Sequence, residues 1–159
     1  MVLIRHRGWP SAATFVVAAS VAAGAGGQAI AGAPVSIWDG VFTAEQARRG
    51  QAAYTGPCDR CHGYKLDGAS DDPDMLPTPP AAGPKFLRHW EGRSLAALFE
   101  YTRTTMPANN PGFLTAEELV DIIAYMMLVS GAPAGDHELA AAPHDLARIT
   151  IERRPGDDS

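Results

Sequence analysis

Two cysteines and a histidine lie within five consecutive residues, and this cluster constrains the chain more than any other feature. Cys58 and Cys61 are the only cysteines, and His62 follows directly. A C-x-x-C-H pattern of this kind is the attachment signature of c-type haem. The two thiols reach the two vinyl groups of the porphyrin as thioethers, and the next residue places an imidazole under the iron as a ligand. The motif therefore predicts one covalently bound haem c.

Three other uses of the cysteine pair fit the sequence less well. A thioredoxin-like redox pair belongs in a βαβ context, whereas this chain has helix and loop patterns without alternating strands. A zinc site commonly takes four ligands, and His89, His137 and His144 show no ligand-type spacing. A disulfide between residues this close would close a very short loop and contribute little stability.

The N-terminus has the layout of a secretory signal peptide. Arg5 and Arg7 form a basic start, residues 11–23 are apolar, and Ala29 and Ala31 are the small residues that a signal peptidase reads. The apolar run is shorter than the roughly 20 residues of a spanning helix. The sequence thus predicts a signal peptide cleaved after Ala31 and a periplasmic mature protein, with membrane association only if the leader is retained.

The composition fits one acidic, exported domain. The chain has 159 residues, of which 46% are apolar and 19% charged, so a real core is feasible and general disorder is not expected. Because the leader carries two basic and no acidic residues, its removal changes the formal charge from -5 to -7. Such a charge argues against a nucleic-acid partner held through phosphates. Asp67, Asp71, Asp72 and Asp74 follow the haem motif. Two interpretations of this cluster stay open: an ordinary solvated face, or a surface that steers a basic partner.

A helix is predicted immediately before the motif. Thr43 and Gln46 match the capping box, with Thr at the N-cap and Gln three residues later. The helix is predicted to end near Tyr54, before Gly56-Pro57. Gly50 shares a face with Ala47 and Tyr54, so we expect it to permit close approach of another element.

The rest of the chain reads as loops and two further helices. Residues 63–84 are rich in Gly, Asp and Pro and are predicted to be loop. One helix is predicted from Ser94 to about Thr102, and another from a capping box at Thr115 to a C-terminal Gly131. The tail carries a weakly apolar patch and is predicted to pack as an extended arm. The predicted division is 1–31 signal peptide, 32–41 N-terminal strip, 42–131 haem domain and 132–159 C-terminal tail.

A low-spin electron-transfer haem needs a second axial ligand, and methionine is the expected type. Met126 and Met127 lie in the last predicted helix, where methionine is more often a core residue. Met106 precedes Pro107 in a loop that proline stiffens. We therefore predict His62 and Met106 as the iron ligands, with Met75 as the alternative to Met106.

These features together resemble a class I c-type cytochrome. The resemblance covers about residues 42–131 and rests on the first helix with Gly50, the C-D-R-C-H motif, Met106-Pro107 and a last helix bearing Tyr125. It implies an all-α, cytochrome c-like fold of three to four helices around one haem, with the extended tail outside. It also implies that the first and last helices cross at Gly50 beside Tyr125.

The resemblance suggests further residues of the site. In this family a proline carbonyl accepts a hydrogen bond from the axial histidine, and Pro84 of the Gly83-Pro84 pair is the candidate. Trp90 and Arg93 are candidates for contacts to the haem propionates, although ordinary packing at the rim explains them equally well.

A narrower likeness concerns the partners. Residues 86–94, 101–107, 121–125 and 131–135 resemble the cytochrome partners and domains of periplasmic quinoprotein dehydrogenases. This implies a carrier, not an enzyme, that takes single electrons from a dehydrogenase and passes them to a downstream cytochrome or oxidase. Two alternatives stay open. One is a tightly bound subunit of a dehydrogenase complex. The other is a catalytic or gas-binding haem protein, which needs an open sixth position at the iron.

Overall fold

A computed structural model describes residues 35–70 and 74–156 of the chain. These ranges contain six helices and two very short strands, joined by loops. The predicted signal peptide, Asp71 and Asp72 lie outside these ranges. The fold is all-α, as predicted, with four helices of eight or more residues. The elements are β1 Val35–Ser36, α1 Ala44–Tyr54, α2 Asp59–His62, α3 Gly83–Trp90, α4 Leu95–Thr105, α5 Ala116–Val129, α6 Pro143–Ala147 and β2 Ile149–Thr150.

The crossing of α1 and α5 forms the centre of the fold. A Cβ atom added to Gly50 would lie 1.7 Å from the backbone oxygen of Asp121, so only glycine allows the two backbones to approach this closely. The ring of Tyr125 packs edge-on against that of Tyr54, with 5.7 Å between centroids. The predicted helix crossing at Gly50 beside Tyr125 is therefore confirmed.

The predicted helix starts are confirmed, with one correction. Thr43 accepts a hydrogen bond from the backbone N–H of Gln46, Ser94 accepts one from Ala97, and Thr115 forms a complete capping box with Glu118. The Gln46 side chain does not close a capping box. It is buried and reaches across to the backbone of Leu139, where it makes two hydrogen bonds.

Helix α3 is an element that the sequence patterns did not predict, and it begins inside the segment expected to be loop. Pro84 lies in its first turn, where the missing N–H of proline leaves no intrahelical bond unmade. Phe86, Leu87 and Trp90 face the core. Because the helix is short and opens on a Gly-Pro pair, its local sequence has the composition of a loop.

The C-terminal tail packs against the haem domain as predicted, but it is not simply extended. It contains α6 and β2, and Leu146 and Ile151 are fully buried. Strand β2 pairs in parallel with β1, a contact that was not expected because each strand has only two residues. The division at residue 131 remains a prediction.

Among the described residues, the structure contains no helix long and apolar enough to cross a membrane.

Candidate functional site

The C-x-x-C-H motif folds as a single helical turn, which follows α1 after a break at Thr55 and Gly56. The N–H of Cys58 bonds to the carbonyl of Tyr54 (3.1 Å), and the N–H of His62 bonds to the carbonyl of Cys58 (2.9 Å). Both cysteines are free and half-buried. The turn of α2 thus holds the two thiols and the imidazole in a fixed mutual arrangement.

A paired loop lies beside this turn. The N–H of Gly68 bonds to the carbonyl of His62 (2.9 Å), and the N–H of Thr78 bonds to the carbonyl of Gly68 (3.0 Å). Gly68 has a φ of 81°, and a Cβ there would lie 2.0 Å from the backbone oxygen of Thr78. Glycine is therefore required where the two limbs of the loop meet. Their pairing carries residues 78 and 79 to the imidazole of His62.

The imidazole of His62 is oriented by Pro79, and not by Pro84 as predicted. Its Nδ1 lies 2.8 Å from the carbonyl oxygen of Pro79. A carbonyl can only accept, so Nδ1 carries the proton and Nε2 keeps its lone pair for a metal. Pro84 is exposed in the first turn of α3, where carbonyls point along the helix axis, and it does not line the site.

Two adjoining cavities, of about 890 and 420 Å³, lie around His62. Cys61 lines the larger cavity and Cys58 the smaller. Met106 lines both, as does His62, whereas Met75 lines only the larger. The residues common to both cavities are Pro57, His62, Pro79, Met106 and Pro107. The structure therefore brings together both predicted thioether cysteines and both predicted iron ligands.

The smaller cavity has a polar and aromatic rim. Arg93 stacks on Trp90, with its Cζ atom 4.1 Å from the ring centroid, and Tyr101 packs edge-on against the same ring at 5.5 Å. Trp90 and Arg93 line this cavity together with Lys85 and Tyr101, which were missed by the sequence analysis. The ammonium of Lys85 and the guanidinium of Arg93 are groups of the kind that bind a carboxylate.

The core methionines are divided between two roles. Met127 is fully buried in the core, as predicted. Met126 is also buried, but it lines the smaller cavity and contributes to its apolar wall.

The environment of the cysteines suits a haem better than the other uses considered. Burial is the main cause that raises the pKa of the Cys58 thiol to about 11, with smaller contributions from Asp59 and Cys61. A thioredoxin-like pair depends on a thiol with a lowered pKa, so this environment does not favour such a pair. Within residues 35–70 and 74–156, no three Cys, His, Asp or Glu side chains are grouped to hold a metal ion. A large cradle with two thiols and one oriented imidazole fits haem c.

Comparison with protein families agrees with this site. The family described as cytochrome c oxidase, cbb3-type, subunit III, matches residues 45–126, more than half of the chain. The chain belongs to this family of c-type cytochromes. The match runs from the first turn of α1 through the haem motif and Met106 to Met126 in α5. No curated protein and no solved structure gives a significant match.

The cytochrome binds haem c and transfers electrons. Haem c supplies a one-electron couple at its iron. Cys58 and Cys61 would supply the thiols for attachment, His62 would supply an imidazole in a defined tautomer, and the mostly apolar wall of the smaller cavity would contact the porphyrin. Pro79 could not be chosen over Pro84 from sequence, because the choice depends on how the loop pairs with itself.

Proposed function

We propose that this cytochrome is a periplasmic single-electron carrier with one haem whose iron is held between His62 and Met106. The observation that carries the proposal is that these two side chains line both cavities around the cysteine motif. The bond from Nδ1 of His62 to Pro79 leaves Nε2 available for the iron. A methionine opposite the histidine raises the potential and occupies the position at which small molecules would bind.

We infer that the electrons come from a periplasmic dehydrogenase, of the quinoprotein type, and go to a downstream cytochrome or oxidase. The family description names an oxidase subunit, which supports a respiratory acceptor. Exposed apolar side chains, Met75, Leu76 and Phe113, lie at or beside the larger cavity. A small apolar surface of this kind suits brief docking, because transient redox complexes bury little area.

The packing of the tail supports a free carrier over a tightly bound subunit. Leu146 and Ile151 are fully buried in the cytochrome's own core. The carbonyl and N–H of Leu139 are both bonded to Gln46 of α1. These apolar side chains are therefore not available to anchor the protein to a dehydrogenase.

Paired methionine variants test the axial ligation. The oxidised parent should show the weak far-red band of a sulfur–iron bond, and Met106→Ala should remove it and open the iron to carbon monoxide. Met75→Ala is the matched control, since Met75 also lines the larger cavity and should leave the band intact. Loss of the band in Met75→Ala, with retention in Met106→Ala, would contradict the proposed ligand.

The salt dependence of electron transfer tests the proposed partner. Asp67 and Asp74 are exposed, and they belong to the acidic segment after the motif. Electrostatic steering raises association rates by about 10- to 1000-fold at low salt, and added salt screens it. We expect the rate with the dehydrogenase to fall steeply as salt rises, and the combined change of Asp71, Asp72 and Asp74 to Asn to flatten that fall.

Two single changes give a comparison at matched charge. Asp74→Asn removes one charge from the acidic segment and should flatten the fall in part. Asp136→Asn removes one charge from an exposed tail residue that lines neither cavity. It should leave the salt dependence unchanged. A parent rate that does not respond to salt, or an equal effect of Asp136→Asn, would refute steering by the acidic loop.

A further inference from the structure

Thr78 makes a second contact to the imidazole of His62. Its hydroxyl oxygen, Oγ1, lies 3.2 Å from Nδ1 of His62, the same nitrogen that faces the Pro79 carbonyl at 2.8 Å. The hydroxyl also donates to the carbonyl oxygen of Cys61 at 2.8 Å. Thr78 thus touches both a thioether cysteine and the predicted iron ligand.

The direction of the contact follows from counting protons. A threonine hydroxyl has one proton, and that proton is engaged with the Cys61 carbonyl. Towards Nδ1 the hydroxyl can therefore present only a lone pair. The proton on Nδ1 of His62 consequently faces two acceptors, the Pro79 carbonyl and the Thr78 hydroxyl.

The backbone keeps this hydroxyl in place. The N–H of Thr78 bonds to the carbonyl of Gly68 at 3.0 Å, and the Thr78 side chain is partly buried. Because Gly68 is itself bonded to the carbonyl of His62, the loop and the haem motif form one hydrogen-bonded unit. The position of the hydroxyl is thus set by hydrogen bonds within the protein.

We propose that Thr78 is a positioning residue that lowers the reduction potential of the cytochrome by acting as a second acceptor for the Nδ1 proton of His62. The proposal rests on the proposed ligation of the iron by His62. An acceptor at Nδ1 makes the imidazole a more basic ligand. A more basic ligand favours the oxidised iron, so removal of one acceptor should raise the potential.

The test compares Thr78→Val with Thr78→Ser in the haem-loaded protein. Valine keeps the shape of threonine but has no hydroxyl, whereas serine keeps the hydroxyl. We expect Thr78→Val to raise the equilibrium constant for one-electron reduction about threefold or more, which is about 28 mV at 59 mV per tenfold. We expect Thr78→Ser to stay close to the parent value in the same spectroelectrochemical titration.

Ser70→Ala is the control for loosening of the loop. Ser70 donates a hydroxyl hydrogen bond to the carbonyl of Arg60 at 2.6 Å, which is the same kind of bond from the same loop to the same turn. We expect it to leave the potential unchanged. An unchanged potential in Thr78→Val, or an equal shift in Ser70→Ala, would overturn the role of Thr78.

A measurement on the parent protein keeps the proposal testable if Thr78→Val does not mature. In the reduced, diamagnetic cytochrome, the proton on Nδ1 of His62 should show a nuclear Overhauser contact to the Thr78 side chain and slow exchange with solvent. Absence of that contact would overturn the proposal for Thr78. The ring protons of His62 should carry the large haem ring-current shift of an axial ligand, and its absence would overturn the proposed ligation instead.

Discussion

The buried side chain of Gln46 provides a sharp test of how the tail is held. Its amide donates to the carbonyl oxygen of Leu139 (2.9 Å), and its carbonyl oxygen accepts from the N–H of Leu139 (2.7 Å). Gln46 is 1% exposed, so water cannot replace either bond. Gln46→Leu therefore leaves one buried donor and one buried acceptor unpaired.

The expected loss can be worked out from these contacts. Each unpaired buried group costs about 1–3 kcal/mol, or about 4 kcal/mol for the pair at central values. Burial of the leucine side chain returns about 2 kcal/mol. The free energy of unfolding should thus fall by about 2 kcal/mol, and the melting temperature by roughly 8 °C for a domain of this size. Urea and thermal denaturation of the haem-loaded protein, followed by far-ultraviolet circular dichroism, measure both quantities.

Gln46→Glu separates this role from the capping box that the sequence suggested. A glutamate is a normal capping-box residue and favours a helix N-terminus, so the capping role predicts no loss at neutral pH. In the observed position, a carboxylate would face the Leu139 carbonyl, and burial would raise the pKa of the new carboxyl. With the folded pKa above the unfolded pKa, stability is present at low pH and is lost as pH rises.

The variant should accordingly fall further below the parent as pH increases from about 5 to about 8. Gln51→Glu, the same change at an exposed position of α1, should not show this loss with rising pH, because its carboxylate stays in water. A Gln46→Leu variant as stable as the parent, or a Gln46→Glu variant that gains stability towards neutral pH, would refute the reasoning.

Three further predictions follow from the core and the motif. Gly50→Ala should lower the free energy of unfolding by about 1–3 kcal/mol or more, because its Cβ meets the Asp121 backbone, and urea denaturation would refute this if the midpoint does not move. Burial is the largest cause that raises the pKa of Tyr54, so the unfolding free energy should fall as pH rises above about 10. Tyr54→Phe should reduce that fall, and an identical pH profile in the variant would contradict the assignment. Combined replacement of Cys58 and Cys61 by Ala should abolish covalent haem, and a haem-sized mass addition in the purified variant would contradict the attachment.

Features encoded in a few consecutive residues could be predicted from the sequence. The N-caps at Thr43, Ser94 and Thr115 each depend on a side chain and an N–H within three residues, and all three are present. The grouping of two cysteines and a histidine in one turn is equally local. Local geometry alone decides such features, so no knowledge of the fold is required.

Features that depend on distant pairing could not be predicted. Local sequence does not determine whether Pro79 or Pro84 reaches His62, because the pairing of the loop limbs brings Pro79 there. Gln46 matches a capping-box pattern, but its side chain makes two hydrogen bonds to the backbone of Leu139, which lies far along the chain. Helix α3 forms because the core accepts Phe86 and Leu87, and its opening residues alone do not indicate a helix.

The parallel pairing of β1 with β2 brings the two ends of the described chain together. The N–H of Val35 bonds to the carbonyl of Arg148, and that of Ile37 bonds to the carbonyl of Thr150, so the start and finish of the fold lie side by side. Neither strand lines a haem cavity. A chain closed in this way suits circular permutation and insertion into a host protein, since both connections leave from one place. The same closure means that β1, near the start of the described residues, has no strand partner until β2, near their end, is in place.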